Sequence, residues 1–221
     1  MMDAITITDP RVENYLYAVL PPRDAVLQEM ERQAAERKIP IVGPAVGRLL
    51  YQYARLINAR SVCEMGSAIG YSTIWWARAA GESGKVYYTD GSEKNANEAR
   101  GYFERAGVAG GIEIHIGDAL EFLQGRKEQF DIVFCDVDKH DYPRAARLAM
   151  PRIRKGGLFI TDNTLWKGKL AYMAGNPELK PNPTDANTMA VAELNRMLYE
   201  SPEWYTTIIP LRDGVTVAMR M

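Results

Sequence analysis

Three observations predict an α/β protein whose sheet is mostly parallel, closes with an antiparallel hairpin and carries helices on both faces. From Ser61 onward, five short apolar runs alternate with helix-like segments, the pattern of parallel strands joined by crossover helices. Each run stops abruptly at Gly, Asp or Asn. Near the end, two apolar runs flank Arg212-Asp213-Gly214, and Asp-Gly in such a setting signals a hairpin.

The first sixty residues read as helices. RVENYLYAVL, RDAVLQEMERQAAERK and PAVGRLLYQYARLINA space their apolar residues three and four apart, as one helix face requires. Pro22 and Pro44 stand where helices often begin, and IPIVG links the last two. SVCEMG is then a strand closing at Gly66, and YSTIWWARAAG a helix stopping near Gly81. KVYYTD is a strand ending in Asp90, followed by the helix EKNANEARGYFERAG, which ends near Gly107. GIEIHIGD alternates in and out as far as Asp118, and ALEFLQGRK is a short helix. FDIVFCD, a helix around PRAARLAMPRIRK, and GGLFITDN complete the parallel strands. ANTMAVAELNRMLYES is a final helix before the strands WYTTIIPL and GVTVAMRM. Between Lys169 and Asp185, Pro177, Pro181 and Pro183 mark an irregular surface loop, long enough to act as a lid.

Bulk properties narrow the function classes. A length of 221 residues fits one domain, with N-terminal helices over 1–60 and the α/β core over 61–221. A net charge of -1 lacks the basic footprint of a nucleic-acid binder. The polar N-terminus, broken by Pro10, has no signal-peptide pattern, and no apolar run is long enough to span a membrane. Cys63 and Cys135 lie inside apolar runs, which predicts reduced, buried thiols at one height in adjacent strands. A cytoplasmic enzyme or binding protein is the expectation.

The stretch from Phe130 to Trp166 holds the strongest chemical signal. Two apolar runs separated by one helix end in oxygen donors: Asp136 closes the first, and Asp162 with Asn163 closes the second. Ligands of parallel sheets bind beyond the strands' carboxyl ends, so these donors are expected in one crevice. Such a set suits Mg²⁺ or a similar hard cation. Lys139 follows Asp136 by three residues and reaches the same place. Any one of these acids alone would be read as a turn residue or helix cap; two strands ending alike, with a lysine beside them, favour function.

The cofactor signal lies in VCEMGSAIGYSTIWWA. Gly66 and Gly70 permit a tight turn against a ligand, but their G-x-x-x-G spacing is not the dinucleotide fingerprint. Glu64 would repel a pyrophosphate and attract a cation. Asp90 ends the next strand, where an acid accepts from ribose hydroxyls, and Asp118 with Ala119 ends the third, where an adenine edge would lie. A ligand with adenosine, positive charge and no phosphate is S-adenosylmethionine. Tyr71, beside the glycine turn, is a further candidate contact, and Trp166 a candidate pocket wall. Trp75 and Trp76 read as core, His115 as structural and His140 as a surface residue.

Taken together, CEMGSAIGYS, YYTD, GDA, FDIVFCDVDKHDY, GGLFITDNTLWKG and PLRDG resemble the cation-dependent class I O-methyltransferases of the catechol and caffeoyl-CoA type. The resemblance covers nearly the whole chain, and the DxDK and DNxLW pair is its specific part. It implies a Rossmann-like, seven-stranded sheet with the last strand inserted antiparallel. It implies a divalent cation, usually Mg²⁺, on Asp136, Asp162 and Asn163, and Lys139 as general base. Cofactor contacts implied by the resemblance are Val42, Glu64, Gly66, Ser67, Ser72, Asp90, Ala119 and Asp138. It also implies a small phenolic substrate with vicinal hydroxyls, and a homodimer. Departures fall at Val42, which lacks a hydroxyl, at Lys167, where many members have Asn, and at Ala192, where many have Arg. The competing readings are a nicotinamide-dependent oxidoreductase, disfavoured by the missing fingerprint, and a non-catalytic nucleoside-binding module.

Overall fold

The computed structural model describes residues 6–173 and 185–221. The expected proline-rich loop, and the lid role given to it, therefore fall largely outside the described residues. Three helices come first: α1 (Pro10–Ala18), α2 (Ala25–Arg37) and α3 (Gly43–Leu56). The core follows as β1 (Ser61–Met65), α4 (Tyr71–Ala80), β2 (Lys85–Asp90), α5 (Glu93–Arg105), β3 (Ile112–Ile116) and α6 (Ala119–Gly125). It continues as β4 (Phe130–Cys135), α7 (Tyr142–Ala149), β5 (Ile153–Thr161), α8 (Ala186–Glu200), β6 (Trp204–Ile209) and β7 (Val215–Arg220).

The seven strands form one sheet in the order β3-β2-β1-β4-β5-β7-β6. The first five are mutually parallel, and β7 enters antiparallel between β5 and β6. The strand order reverses between β1 and β4, and a crevice opens at such a switch point beyond the carboxyl ends.

Strand alternation sorts side chains to two cores. Val62, Val86, Tyr88, Ile132, Phe134 and Ile160 pack beneath α3, α4 and α5. Cys63, Met65, Val133, Cys135 and Phe159 pack beneath α6, α7 and α8. Trp76 is fully buried and Trp75 nearly so, as expected. His115 lies on the outermost parallel strand, its ring 4.7 Å from that of Phe122.

Three expectations need correction. The helix expected through Lys155 stops at Ala149, and a single 3₁₀ turn over Met150–Arg152 leads into β5. Pro151 lacks the amide hydrogen that would continue the helix. α2 begins at Ala25, not near Pro22, because Asp24 accepts from the amides of Val26 and Leu27 and caps it. The cysteines are free and buried as expected, but not at one height: Cys63 pairs with Val133, and Cys135 with Met65. Glu64 is the penultimate residue of β1, whereas Asp136 follows the last residue of β4, so the two acids do not mark equivalent heights.

Candidate active site

The site begins at the turn after β1. The amides of Gly66 and Ser67 donate to the Thr89 carbonyl at 3.2 and 2.9 Å, and the Asp136 amide donates to the Met65 carbonyl at 2.8 Å. These bonds bring the ends of β1, β2 and β4 together. Gly66 adopts φ +83, and a Cβ there would lie 2.5 Å from the Asp136 carbonyl oxygen, so the close approach excludes any side chain. Gly70 has a different reason. Its φ is +84 and a Cβ would meet the Phe103 ring at 2.5 Å. The expectation that Gly70 turns against a ligand is therefore corrected: it makes room for a helix to pack.

A cleft of about 1150 Å³ opens over these strand ends. Asp136, Lys139, Asp162, Asn163 and Trp166 line it, with Tyr17 and Arg212 on the side of the N-terminal helices. A smaller hollow of about 180 Å³ includes Asp118, Ala119 and Leu120. Gly66, Asp90, Val137 and Asp138 line both, so the two hollows adjoin.

The four oxygen-donor and lysine candidates meet as expected. Lys139 Nζ lies 2.8 Å from Asp136 Oδ1 and donates to the Tyr142 hydroxyl oxygen at 2.6 Å. The Tyr142 hydroxyl donates to the Asp162 carbonyl at 2.8 Å. Asp162 is buried, and its Oδ1 has no hydrogen-bond partner. Burial pushes the Asp162 carboxyl up to about 7, and the nearby Asp136 charge adds to the shift. Asp136 is also raised, by burial first, with Lys139 opposing. Two desolvated carboxylates that oppose each other's ionisation form a place where a cation is stabilising. Asn163, in the left-handed region at φ 58, adds a neutral oxygen donor. Among the described residues no group of three or more His, Cys, Asp or Glu has metal-binding spacing; the set here is two carboxylates and an amide.

The expected cofactor residues divide into two layers. Gly66, Asp90 and Asp138 line both hollows and Ala119 lines the smaller. Val42, Glu64, Ser67 and Ser72 line neither and are buried. Glu64 is fully buried; one carboxylate oxygen accepts from Thr73, and Oε1 has no partner. Burial raises its carboxyl to about 7. The Ser72 and Ser67 side chains also act on this carboxylate, and an acid two residues before Gly66 suits a cationic amino group. Asp90 is partly engaged, with Oδ2 accepting from the Ala68 amide at 2.9 Å and Oδ1 from Ser92 and Asn95. Asp118 caps α6 through the amides of Leu120 and Glu121. The Tyr71 hydroxyl donates to Glu31 at 2.7 Å and the residue is buried, so its expected cofactor contact is replaced by a tie to α2. His140 is exposed, 3.3 Å from Asp141.

Sequence reasoning missed Tyr142, Arg212 and Tyr17. Tyr142 follows Lys139 by three residues, a spacing that returns it to the same side of a helical turn. Arg212 lies in PLRDG, which reads as a hairpin turn and family motif with no role for the arginine, and Tyr17 comes from the first helix, where no local signal ties it to the site.

Sheet order, switch-point cleft and acid-lined turn define an α/β enzyme that binds a nucleoside-bearing ligand beside a candidate cation site. Residues 20–221 match the family model described as O-methyltransferase. The chain is 30% identical over 212 residues to the caffeoyl-CoA O-methyltransferase of Petroselinum crispum, covering 92% of this chain and 87% of the relative. It is 29% identical over 219 residues to the catechol O-methyltransferase of Niastella koreensis, covering 94% and 96%. Its fold matches the O-methyltransferase TomG from Streptomyces achromogenes, involved in tomaymycin synthesis and solved with S-adenosylmethionine. The TM-score is 0.83, with 30% identity and full coverage of both chains. The chain therefore belongs to the O-methyltransferase family of the catechol and caffeoyl-CoA type and is an S-adenosylmethionine-dependent O-methyltransferase. The nicotinamide and non-catalytic readings fall with that assignment. No described helix is long and apolar enough to cross a membrane.

Proposed function

We propose that the enzyme methylates one hydroxyl of a catechol-like phenol, using a divalent cation, Mg²⁺ foremost, held by Asp136, Asp162 and Asn163. The observation behind this reading is the buried Asp162 with an orphaned oxygen, beside a half-buried Asp136 that holds Lys139 at 2.8 Å. When bound, such a cation lowers the pKa of a hydroxyl and orients it. Lys139 is the general base: its Nζ takes the hydroxyl proton. An ammonium cannot accept a proton, so the step requires Lys139 as the neutral amine. Tyr142 fixes Nζ in place, since its own hydroxyl is anchored on the Asp162 carbonyl. Trp166, whose ring centroid lies 6.0 Å from Nζ, walls the acceptor side.

For the cofactor, Asp90 and Gly66 hold the ribose end, Ala119 the base, and Glu64 the amino group, with Asp138 on the cleft wall and the buried Val42, Ser67 and Ser72 backing the pocket. Holding methyl and oxygen in line supplies the orientation part of the rate. The relatives named for catechol and caffeoyl-CoA support a vicinal-diol phenol as acceptor. A homodimer is part of the proposal: α1 buries none of its residues, and Val12, Tyr15 and Leu16 on it are exposed. The unpaired cysteines fit the reducing cytoplasm.

The test is methyl transfer from S-adenosylmethionine to a panel of catechols, with and without chelator. Chelator-sensitive methylation supports the reading. Full turnover after metal stripping would remove the cation from the reaction, and methylation of simple alcohols but no phenol would remove the catechol. Sedimentation as a monomer at micromolar concentration would remove the dimer.

A further inference from the structure

Arg212 lines the cleft, and the reaction above leaves it without a task. It sits in the turn between β6 and β7 with φ 52, a conformation that favours glycine. Backbone held in such a region points toward a functional constraint when the surroundings enforce it. They do so here. The Thr164 amide donates to the Gly214 carbonyl at 3.0 Å, and the Leu165 amide to the Asp213 carbonyl at 2.9 Å. Asp213 Oδ1 accepts from the Lys167 amide. The hairpin turn is thereby fastened to the loop that follows Asp162 and Asn163, and the guanidinium is directed into the cleft.

The charges around it do not balance. Arg23 is held by two oxygens of Glu31, and Lys139 by Asp136. Among the described residues Arg212 makes one hydrogen bond, to the uncharged Val42 carbonyl. Its nearest carboxylate, Asp162 Oδ2, is 3.9 Å away, beyond hydrogen-bond reach. A divalent cation on Asp136 and Asp162 would offset both carboxylates. An ionised hydroxyl of the acceptor would answer Lys139. The guanidinium then remains, 30% exposed on its side chain, with no carboxylate of the described residues hydrogen-bonded to it; Asp213, which its charge also reaches, is engaged by the Lys167 amide.

We propose that Arg212 is a specificity-determining residue that binds a carboxylate on the methyl acceptor, so that the preferred substrates are acidic catechols. The proposal rests on the catechol reading above. Guanidinium matches a carboxylate with two parallel N–H donors, and a half-buried cleft strengthens the pair relative to open solvent. The cofactor's own carboxylate is the other source of the same chemistry, and the experiment separates the two.

The probes are 3,4-dihydroxybenzoate and its neutral counterpart 3,4-dihydroxybenzyl alcohol, compared in the wild type, Arg212→Met and Arg212→Lys. For each protein, kcat/KM is measured with both acceptors. Calorimetry gives the affinity of both acceptors in the presence of S-adenosylhomocysteine and Mg²⁺, and the affinity of S-adenosylhomocysteine alone. The wild type should prefer the acid by about 10- to 100-fold, the scale of a hydrogen-bonded charge pair. Arg212→Met should lose that ratio, and Arg212→Lys should keep part of it. An unchanged ratio in Arg212→Met, or a wild type indifferent to the carboxylate, overturns the proposal. So does a loss confined to S-adenosylhomocysteine affinity, which would assign the guanidinium to the cofactor. If neither catechol is methylated by any of the three proteins, the catechol reading falls, and the calorimetric ratio still decides whether Arg212 binds the carboxylate. A melting temperature for each variant shows whether the Val42 tie alone was lost.

Discussion

At the scale of single residues, Glu64 and Lys139 make opposite demands on charge. Glu64 is buried with its carboxyl raised to about 7 from 4.5. A carboxyl raised on folding keeps its proton in the folded state after the unfolded chain has lost it. Its contribution to stability is therefore fully present below about 4.5 and is lost as pH rises toward 7. In the ligand-free protein, Glu64→Gln should remove this component, so the urea stability of the variant should fall less than that of the wild type between about pH 5 and pH 8. The same variant should bind S-adenosylmethionine about 10- to 100-fold more weakly at pH 8, the scale of a lost charged hydrogen bond. Parallel stability curves together with equal affinities would leave Glu64 as a structural partner of Thr73 and nothing more. Lys139 tests the other demand. Lys139→Met should slow methyl transfer by about 10²–10⁴-fold, the usual contribution of a general base, while cofactor affinity holds in calorimetry. Raising the pH should recover part of the loss, because the acceptor then ionises without help. Turnover within a few-fold of wild type at neutral pH would show that the lysine only holds Asp136.

Among elements, the contact of α3 with α4 shows how packing outweighs local propensity. Gly47 lies inside α3 and is buried, where alanine would favour the helix by about 1 kcal/mol. A Cβ there would sit 2.3 Å from Nε1 of Trp75, on α4, and the indole is itself almost fully buried. Overpacking of this kind costs about 1–3 kcal/mol, so the clash should exceed the gain. Gly47→Ala should lower urea stability by about 1–2 kcal/mol, and Trp75→Leu in the same chain should change the sign of the glycine-to-alanine effect. A stabilised Gly47→Ala single variant would mean that the indole swings aside at no cost. The contact matters to the site because α3 begins at Gly43, directly after Val42, whose carbonyl Arg212 engages. The register of these two helices thus sets one wall of the cleft.

Across the whole molecule, what was legible in the chain is what short-range pattern determines. Short apolar runs bounded by Gly, Asp or Asn located the five parallel strands and Asp213-Gly214 the closing hairpin, and Asp136, Lys139, Asp162 and Asn163 stand out because each closes or follows a strand. What escaped depends on tertiary placement. The cysteine register could not be read, since β1 and β4 end at different offsets from their acids. Asp118, expected near a bound base, caps α6 through short local hydrogen bonds while lining the smaller hollow. Tyr142 and Arg212 gain meaning only when α7 and the hairpin turn are folded against β5. That assembly leads to the last prediction, because the carboxyl edge of the sheet concentrates charge that folding must tolerate. Burial raises both Asp136 and Asp162, so the proposed cation would stabilise the fold as well as serve the reaction. A ligand at 100 times its Kd adds about 2.7 kcal/mol, and in a chain of this size each kcal/mol moves Tm by about 2–4 °C. Saturating Mg²⁺ should therefore raise the wild-type Tm by about 5–10 °C. Asp162→Ala should fold, lose the Mg²⁺ response and lose activity, yet keep the stabilisation by S-adenosylhomocysteine, since Gly66, Asp90 and Ala119 are untouched. A Mg²⁺ shift of wild-type size in Asp162→Ala would place the cation elsewhere. Loss of the S-adenosylhomocysteine response along with it would show that the two hollows are one cooperative unit instead of neighbouring sites.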